Sequence, residues 1–479
     1  MRVGVLVKGE VYALGKADVR KFDALVEAVL KEVKPSPGEM ASSTAAANQI
    51  MGRLKKSAPK DVEILLAGSA ARGTQLSGNS DIDVFLLFPK SAKKERLEKE
   101  GLRIAKSIIE KGKKERCEIK YAEHPYARLL LEDMGVTVDV VPAYKISSAD
   151  ERATAVDRTQ LHNEFVNARL TTRQRDDVRV LKAFFNGHGV YGAEAMTEGF
   201  SGYLCELLVH HYGSFLQTVT ALANVKPPVV IDAGKRAEIA GTQAKALSDK
   251  FNSGFIVIDP TDSDRNVAAN VSMESLARAS LAARTLLTSP SKGTFFRAGY
   301  SDVDSKAKLS ALGKGMGAGI YAVHFAVPDI AEDIIWQQLK KLSSRLCGEL
   351  ASNGFATMMS LQGLHERDAV IALFVRESEI KACIARGPSA FMGGAASRFA
   401  AVRKSACLIS LEGERLYAID ASKYATPEGL MRAFLSGRET ELPSYLEKKR
   451  MRIYANSMPE GIAKLVYQAY NSKRIDYRL

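Results

Sequence analysis

Cysteine is scarce in this chain: five in 479 residues, at positions 117, 205, 347, 383 and 407, with no Cys-x-x-Cys pair. That excludes a disulfide framework and a zinc-finger spacing, and it suits a reducing compartment. No apolar run reaches the length that spans a bilayer, so no membrane helix is expected. The opening MRVGVLVKGEVYALGK has charges inside its apolar part and lacks a small-residue cleavage site. No signal peptide is therefore expected, and a cytoplasmic protein follows. Internal repeats and low-complexity tracts are missing as well. Acidic residues are outnumbered, 55 Asp and Glu against 68 Lys and Arg, for a formal charge of +13. Such an excess suits a polyanionic partner, nucleic acid above all. With 46% hydrophobic residues the chain has material for real cores. Its length allows roughly two to four domains.

The stretch that carries chemistry runs from Val62 to Pro89, VEILLAGSAARGTQLSGNSDIDVFLLFP. Val62 to Ala67 reads as a buried strand. Gly68-Ser69 ends it in a turn, and a polar, Gly-rich segment follows. Ser80-Asp81-Ile82-Asp83 then opens a second strand, Val84 to Phe88, too apolar for a surface position. Asp81 and Asp83 are two apart in extended chain, so they point to one face. Carboxylates held beside a buried strand need positive charge, and Mg²⁺ takes carboxylate oxygens together with substrate phosphates. A third strand, Val136 to Val141, puts valines 136, 138 and 140 on one side, with Thr137 and Asp139 on the other. Asp81, Asp83 and Asp139 on one sheet face make a two-Mg²⁺ site for in-line phosphoryl transfer. The Gly68-Ser69 turn offers backbone N–H groups and the Ser69 hydroxyl to a triphosphate, and Arg72 adds charge there.

Residues 1–17 read as a short hairpin with no role assigned. Asp18 caps a helix with Phe22, Leu25, Val26, Val29 and Val33 along one stripe. Pro35-Ser36-Pro37-Gly38 ends it, and a second helix spans about 39–56. After Pro89, Leu97, Leu102, Ala105, Ile108 and Ile109 form the apolar stripe of another helix. Glutamates among its lysines and arginines make the polar side a solvated outer face rather than an RNA-binding one. Strands follow at 118–122, 128–131 and 136–141, the last two joined by the turn Glu132-Asp133-Met134-Gly135. Helices on one side of a mixed sheet that carries three acids make an α/β palm, closed by Pro142.

Residues 149–287 read as mostly helical. Thr159 and His162 are three apart and share a face if helical, next to Asp157-Arg158. His210 and His211 point about 100° apart on a helix, so they are structural rather than a metal pair. Past a boundary at Ser289-Pro290-Ser291-Lys292-Gly293 come a strand (319–326), an amphipathic helix (329–353) with the only tryptophan, Trp336, and a hairpin (358–364, 369–376). This β-α-β-β order fits a ferredoxin-like or RNA-recognition-type domain. It lacks the paired aromatics of an RNA-recognition motif, so base stacking is not expected there. Residues 385–479 are rich in Arg and Lys.

The Val62–Pro89 stretch resembles the signature of the DNA polymerase β-type nucleotidyltransferase superfamily. Further stretches narrow the resemblance: Tyr121-Ala122-Glu123-His124-Pro125-Tyr126, Ala155-Val156-Asp157-Arg158-Thr159, Tyr191-Gly192-Ala193-Glu194, Gly199-Phe200-Ser201-Gly202-Tyr203-Leu204-Cys205-Glu206-Leu207 and Arg265-Asn266-Val267-Ala268-Ala269-Asn270. In this order, across roughly the first 300 residues, they are similar to archaeal (class I) CCA-adding enzymes, the tRNA nucleotidyltransferases. The last third matches more loosely.

That resemblance implies an α/β and α+β multidomain chain. It comprises a nucleotidyltransferase palm (1–148), a mainly helical central domain completing the nucleotide pocket (149–290), a ferredoxin-like or RNA-recognition-type body (291–385) and a tRNA-binding tail (386–479). It implies catalytic Asp81, Asp83 and Asp139 holding two Mg²⁺ ions. Ser69, Arg72, Thr159, His162, Lys182 and Tyr191 would surround the triphosphate of CTP or ATP, and Arg265 would read the base. The acceptor stem and TΨC arm of tRNA are the expected partner, and a homodimer is left open. The acid triad by itself also fits a poly(A) polymerase, an oligoadenylate synthetase or a nucleotidyltransferase of small molecules or proteins. A non-catalytic RNA-binding protein on the same fold is a further alternative, against which the three intact acids count.

Overall fold

The computed structural model describes residues 16–79, 81–110, 113–121, 125–296, 303–437 and 442–475. The hairpin read at residues 1–17 lies outside them except for its last two positions, as do Ser80 and the Ala122-Glu123-His124 part of its motif. Among the described residues no helix is long and apolar enough to cross a membrane. The chain divides into two units between residues 298 and 299.

The first unit opens with α1 (Lys16–Val33) and α2 (Pro37–Ser57). Ser36 and Glu39 start α2 by a capping box, each side chain accepting the other's backbone N–H. Next come β1 (Glu63–Ala67), α3 (Gly68–Arg72), β2 (Asp81–Phe88), α4 (Lys94–Ser107), β3 (Glu115–Tyr121), β4 (Pro125–Leu131) and β5 (Val136–Tyr144). The strands form one mixed sheet, in the order β1-β2-β5-β4-β3, with β2 and β5 parallel and the other pairs antiparallel. Strand alternation decides its faces. Ile82, Val84, Leu86 and Phe88 of β2 and Val136, Val138 and Val140 of β5 join a core with Ile50 and Leu54 of α2 and Leu97 and Ile104 of α4. Each such side chain contributes about 1.5–3 kcal/mol. Asp81, Asp83 and Asp139 are left to the opposite face.

Two local expectations change. Gly68-Ser69 is not a free turn but the first turn of the five-residue α3. Pro142 does not close the sheet, because β5 continues to Tyr144 and pairs Pro142 with Leu86. The ladder between β4 and β5 has already ended at Val140, so that side holds no hydrogen bond for the missing proline N–H to break.

The unit continues with α5 (Thr159–Arg169), α6 (Thr172–Gly187), α7 (Gly202–Tyr212), α8 (Phe215–Ala223), β6 (Val229–Asp232), β7 (Ala237–Ile239), α9 (Gly241–Phe251), β8 (Phe255–Asp259), β9 (Asp262–Asn266) and α10 (Met273–Thr288). The helical reading of 149–287 thus misses a four-stranded sheet, β7-β6-β8-β9. Its apolar runs Val229-Val230-Ile231 and Phe255-Ile256-Val257-Ile258 are too short for periodicity to separate strand from buried helix. One consequence is that Arg265 stands on β9. His210 and His211 are buried on α7.

The second unit holds α11 (Ser305–Met316), β10 (Gly319–Ala326), α12 (Glu332–Ser352), β11 (Thr357–His365), β12 (Asp368–Val375), β13 (Ala382–Ser389), α13 (Gly393–Val402), β14 (Leu408–Glu412), β15 (Arg415–Ala421), α14 (Pro427–Ser436), β16 (Met451–Ala455) and α15 (Glu460–Lys473). The antiparallel sheet β11-β12-β10-β16 has ferredoxin-like order. Its fourth strand, β16, comes only after an insertion with its own sheet, β13-β15-β14. One face packs Ile320, Ala322 and Leu361 against Leu309 of α11 and Ile462 and Val466 of α15. The other face buries Tyr321, Val323 and Phe325, and α12 packs on β11 and β12.

Candidate active site

The parallel register of β2 and β5 puts Asp83 directly beside Asp139, and Asp81 beside Thr137. Partner residues on adjacent strands face the same side, about 4.8 Å apart along the sheet. Gly68 makes this possible from above. Its φ is +71°, and a Cβ there would stand 1.8 Å from Asp83 Oδ2, so only glycine lets the chain pass so close. Burial raises the Asp83 pKa, and the carboxylates of Asp139 and Asp81 raise it further against the opposing pull of Arg72 and Arg128.

The pair therefore attracts positive charge, and β4 delivers some. Arg128 lies across from Asp139 and donates Nε–H to Oδ1 at 2.8 Å and Nη2–H to Oδ2 at 2.7 Å. Among the described residues no three His, Cys, Asp or Glu side chains are gathered closely enough to hold an ion as they stand. The donor set still fits a divalent cation: oxygen-only ligands, one carboxyl that resists ionising without a partner, and a second in register beside it.

A cavity of about 350 Å³ opens next to Asp81, lined by Ser69, residues 75–79, Lys182 and Tyr191. Lys182, on α6, is 2% exposed, and its ammonium donates to the Thr74 carbonyl at 2.9 Å. Burial lowers its pKa, partly offset by the Glu206 charge. The Tyr191 hydroxyl sits beside it: a Cβ on Gly202 would meet the phenol oxygen at 3.3 Å and Lys182 Nζ at 3.5 Å. Arg72 is absent from the cavity wall. It points to buried Glu206 of α7, Nε to Oε1 at 3.0 Å, and Thr74 Oγ1 donates to the same oxygen at 2.5 Å. Arg72, Glu206, Thr74 and Lys182 are thus one buried network behind the cavity.

A second cluster gathers on Asp259, the last residue of β8. His162 of α5 meets Asp259 Oδ2 at 2.9 Å, and Arg265 donates Nη1–H to the same oxygen at 2.7 Å. The His162 ring stacks on Tyr203, centroids 4.0 Å apart. Burial lowers the His162 pKa, against the pull of Asp259. Thr159 opens α5 one turn earlier. The structure thus brings Ser69, Asp81, Lys182 and Tyr191 to one cavity, Asp83 and Asp139 to one sheet position, and His162 and Arg265 to one carboxylate. Sequence reasoning misses Arg128, Glu206 and Asp259. Glu206 carries one signal, a lone acid in the apolar run Tyr203-Leu204-Cys205-Glu206-Leu207-Leu208.

Acids in parallel register, a glycine-started short helix above them and a donor-lined cavity beside them define a nucleotidyltransferase of the polymerase β type. Residues 47–162 match the nucleotidyltransferase domain family, 176–296 the second domain of tRNA nucleotidyltransferase, and 316–449 the C-terminal domain of the CCA-adding enzyme. The CCA-adding enzyme of Methanosarcina acetivorans is 34% identical over 84% of this chain and 87% of its own. That of Methanoregula boonei is 40% identical over 68% and 67%, and that of Methanocaldococcus jannaschii 32% over 91% and 96%. The chain belongs to the archaeal CCA-adding enzymes, a family of nucleotidyltransferases. Solved Cid1 poly(U) polymerase structures, at 16% identity, TM-score 0.47 and 58% coverage of this chain against 99% of their own, are too distant to carry an argument.

Proposed function

We propose that this chain is a CCA tRNA nucleotidyltransferase, which adds C, C and A in turn to the 3′ end of immature or damaged tRNA. It takes CTP and ATP and uses no nucleic-acid template. The observation that carries this reading is the likeness to CCA-adding enzymes along most of the chain, with Asp83 beside Asp139 in register. The tRNA 3′-hydroxyl attacks the α-phosphate, the bond to the bridging oxygen breaks, and pyrophosphate leaves. Asp81 and Asp83 would hold two Mg²⁺ ions and Asp139 the catalytic one, which when bound neutralise phosphate charge and acidify the attacking hydroxyl. Asp139 also helps deprotonate the attacking hydroxyl. Ser69, Lys182 and Tyr191 meet the triphosphate, with Arg72, Thr159 and His162 completing its surroundings. Arg265 reads the base.

The domains divide the work. Residues 1–148 hold the acids, 149–290 complete the nucleotide pocket, and 291–479, whose late strand β16 returns to the sheet of β10, β11 and β12, grip the acceptor stem and TΨC arm. The net charge of +13 supports a polyanionic partner of that size. Such a substrate places the work in the cytoplasm. The test is incorporation of labelled CTP and ATP, separately and together, into tRNA transcripts that end before CCA, with Mg²⁺. Two Cs from CTP alone and one A only after them are expected. Untemplated runs of A on any RNA would make the chain a poly(A) polymerase instead.

A further inference from the structure

Asp259 is 1% exposed, yet both of its oxygens are fully engaged. Oδ2 meets His162 and Arg265, while Oδ1 accepts from the Thr261 backbone N–H at 2.9 Å, the Thr261 hydroxyl at 2.8 Å and the Tyr203 hydroxyl at 3.3 Å. Carboxylates so heavily hydrogen-bonded stay ionised and do not move. Arg265 needs such an anchor. Strands β8 and β9 pair at Ile258↔Asn266 and again at Asp259↔Asp262, so residues 263–265 bulge out between the two pairs. No regular ladder fixes the direction of the Arg265 side chain; the ion pair with Asp259 does.

We infer that Asp259 is a positioning residue for nucleotide choice: it touches no nucleotide but fixes the guanidinium plane of Arg265. This rests on the reading of Arg265 as the group that meets the base. A guanidinium only donates hydrogen bonds. Its N–H finds an acceptor at ring nitrogen N3 of cytosine or N1 of adenine. At the same positions uracil and guanine carry N–H groups, and donor then faces donor. That penalty discriminates only while the guanidinium cannot turn aside to a keto oxygen. Asp259 removes that freedom, and the Tyr203 and Thr261 donors remove the freedom of Asp259 itself.

The experiment compares Asp259→Asn, Arg265→Ala and the double variant in full-length protein, with KM and kcat for CTP, UTP, ATP and GTP on tRNA ending at the appropriate base. Asp259→Asn keeps the shape but sets an amide where two donors now converge. UTP and GTP use is expected to rise about tenfold relative to CTP and ATP, the scale of one charged hydrogen bond. The double variant should be no worse than Arg265→Ala alone. Thermal melting checks that each variant is folded; if Asp259→Asn is not, Asp259→Glu keeps the charge, displaces the guanidinium by one methylene, and should relax the same choice. Unchanged discrimination in the folded Asp259 variants, or a double variant whose losses add, overturns the inference while leaving Arg265 in place. Wild-type KM and choice in Arg265→Ala overturn both readings together.

Discussion

Arg128 grips both oxygens of Asp139, Nε to Oδ1 and Nη2 to Oδ2, from the neighbouring strand of the sheet. The guanidinium therefore occupies the carboxylate that, in the proposed function, helps bind the catalytic Mg²⁺. Cation and Arg128 compete for it. The Arg128 side chain is 38% exposed, so the pair is worth only about 0.2–1 kcal/mol. Arg128→Met is expected to tighten Mn²⁺ binding up to about fivefold, read by calorimetry without nucleotide. Weaker Mn²⁺ binding in the variant would mean that Arg128 positions Asp139 for the ion rather than contesting it.

Asp83 gives a pH-dependent prediction. Burial, then Asp139 and Asp81, raise its pKa in the fold. A carboxyl raised above its unfolded value stabilises the fold in its protonated form. That stability is complete below the ordinary carboxylate range and is lost as pH rises through the raised value. In metal-free buffer, Asp83→Asn should therefore melt a few degrees higher than wild type at pH 7, with the gap closing near pH 4. The same variant should lose nucleotide addition and keep tRNA binding. Equal loss of addition and binding would take Asp83 out of catalysis.

The acids are legible in the sequence because a spacing of two in extended chain fixes a shared face whatever surrounds it. Asp139 is legible for the same reason, through the valines that alternate with it. What is not legible is the carboxylate behind each basic side chain. Arg72 and Glu206 are 134 residues apart, and His162 and Asp259 are 97 apart. Such pairs exist only through tertiary packing, and no local period records them. The β8–β9 hairpin is hidden differently: Phe255-Ile256-Val257-Ile258 is equally good as buried strand or buried helix, so the strand that carries Arg265 is lost within a stretch that reads as mostly helical.

The network behind the cavity makes the third prediction. Glu206 is fully buried and holds Arg72 and Thr74, while Thr74 in turn accepts from Lys182. Its charge offsets the desolvation that lowers the Lys182 pKa. Glu206→Gln keeps the volume and removes that charge, leaving two buried cations with no carboxylate between them. Breaking a buried pair in this way costs about 3–5 kcal/mol, which urea unfolding would register as a lower midpoint at unchanged slope. The lost counter-charge also lowers the Lys182 pKa further. Its ammonium should then deprotonate at a lower pH, and nucleotide KM should rise earlier on the alkaline side than in wild type. A variant with wild-type stability and a wild-type alkaline limb would show that Arg72 and Lys182 are held by their remaining contacts alone, and that Glu206 plays no part in presenting them.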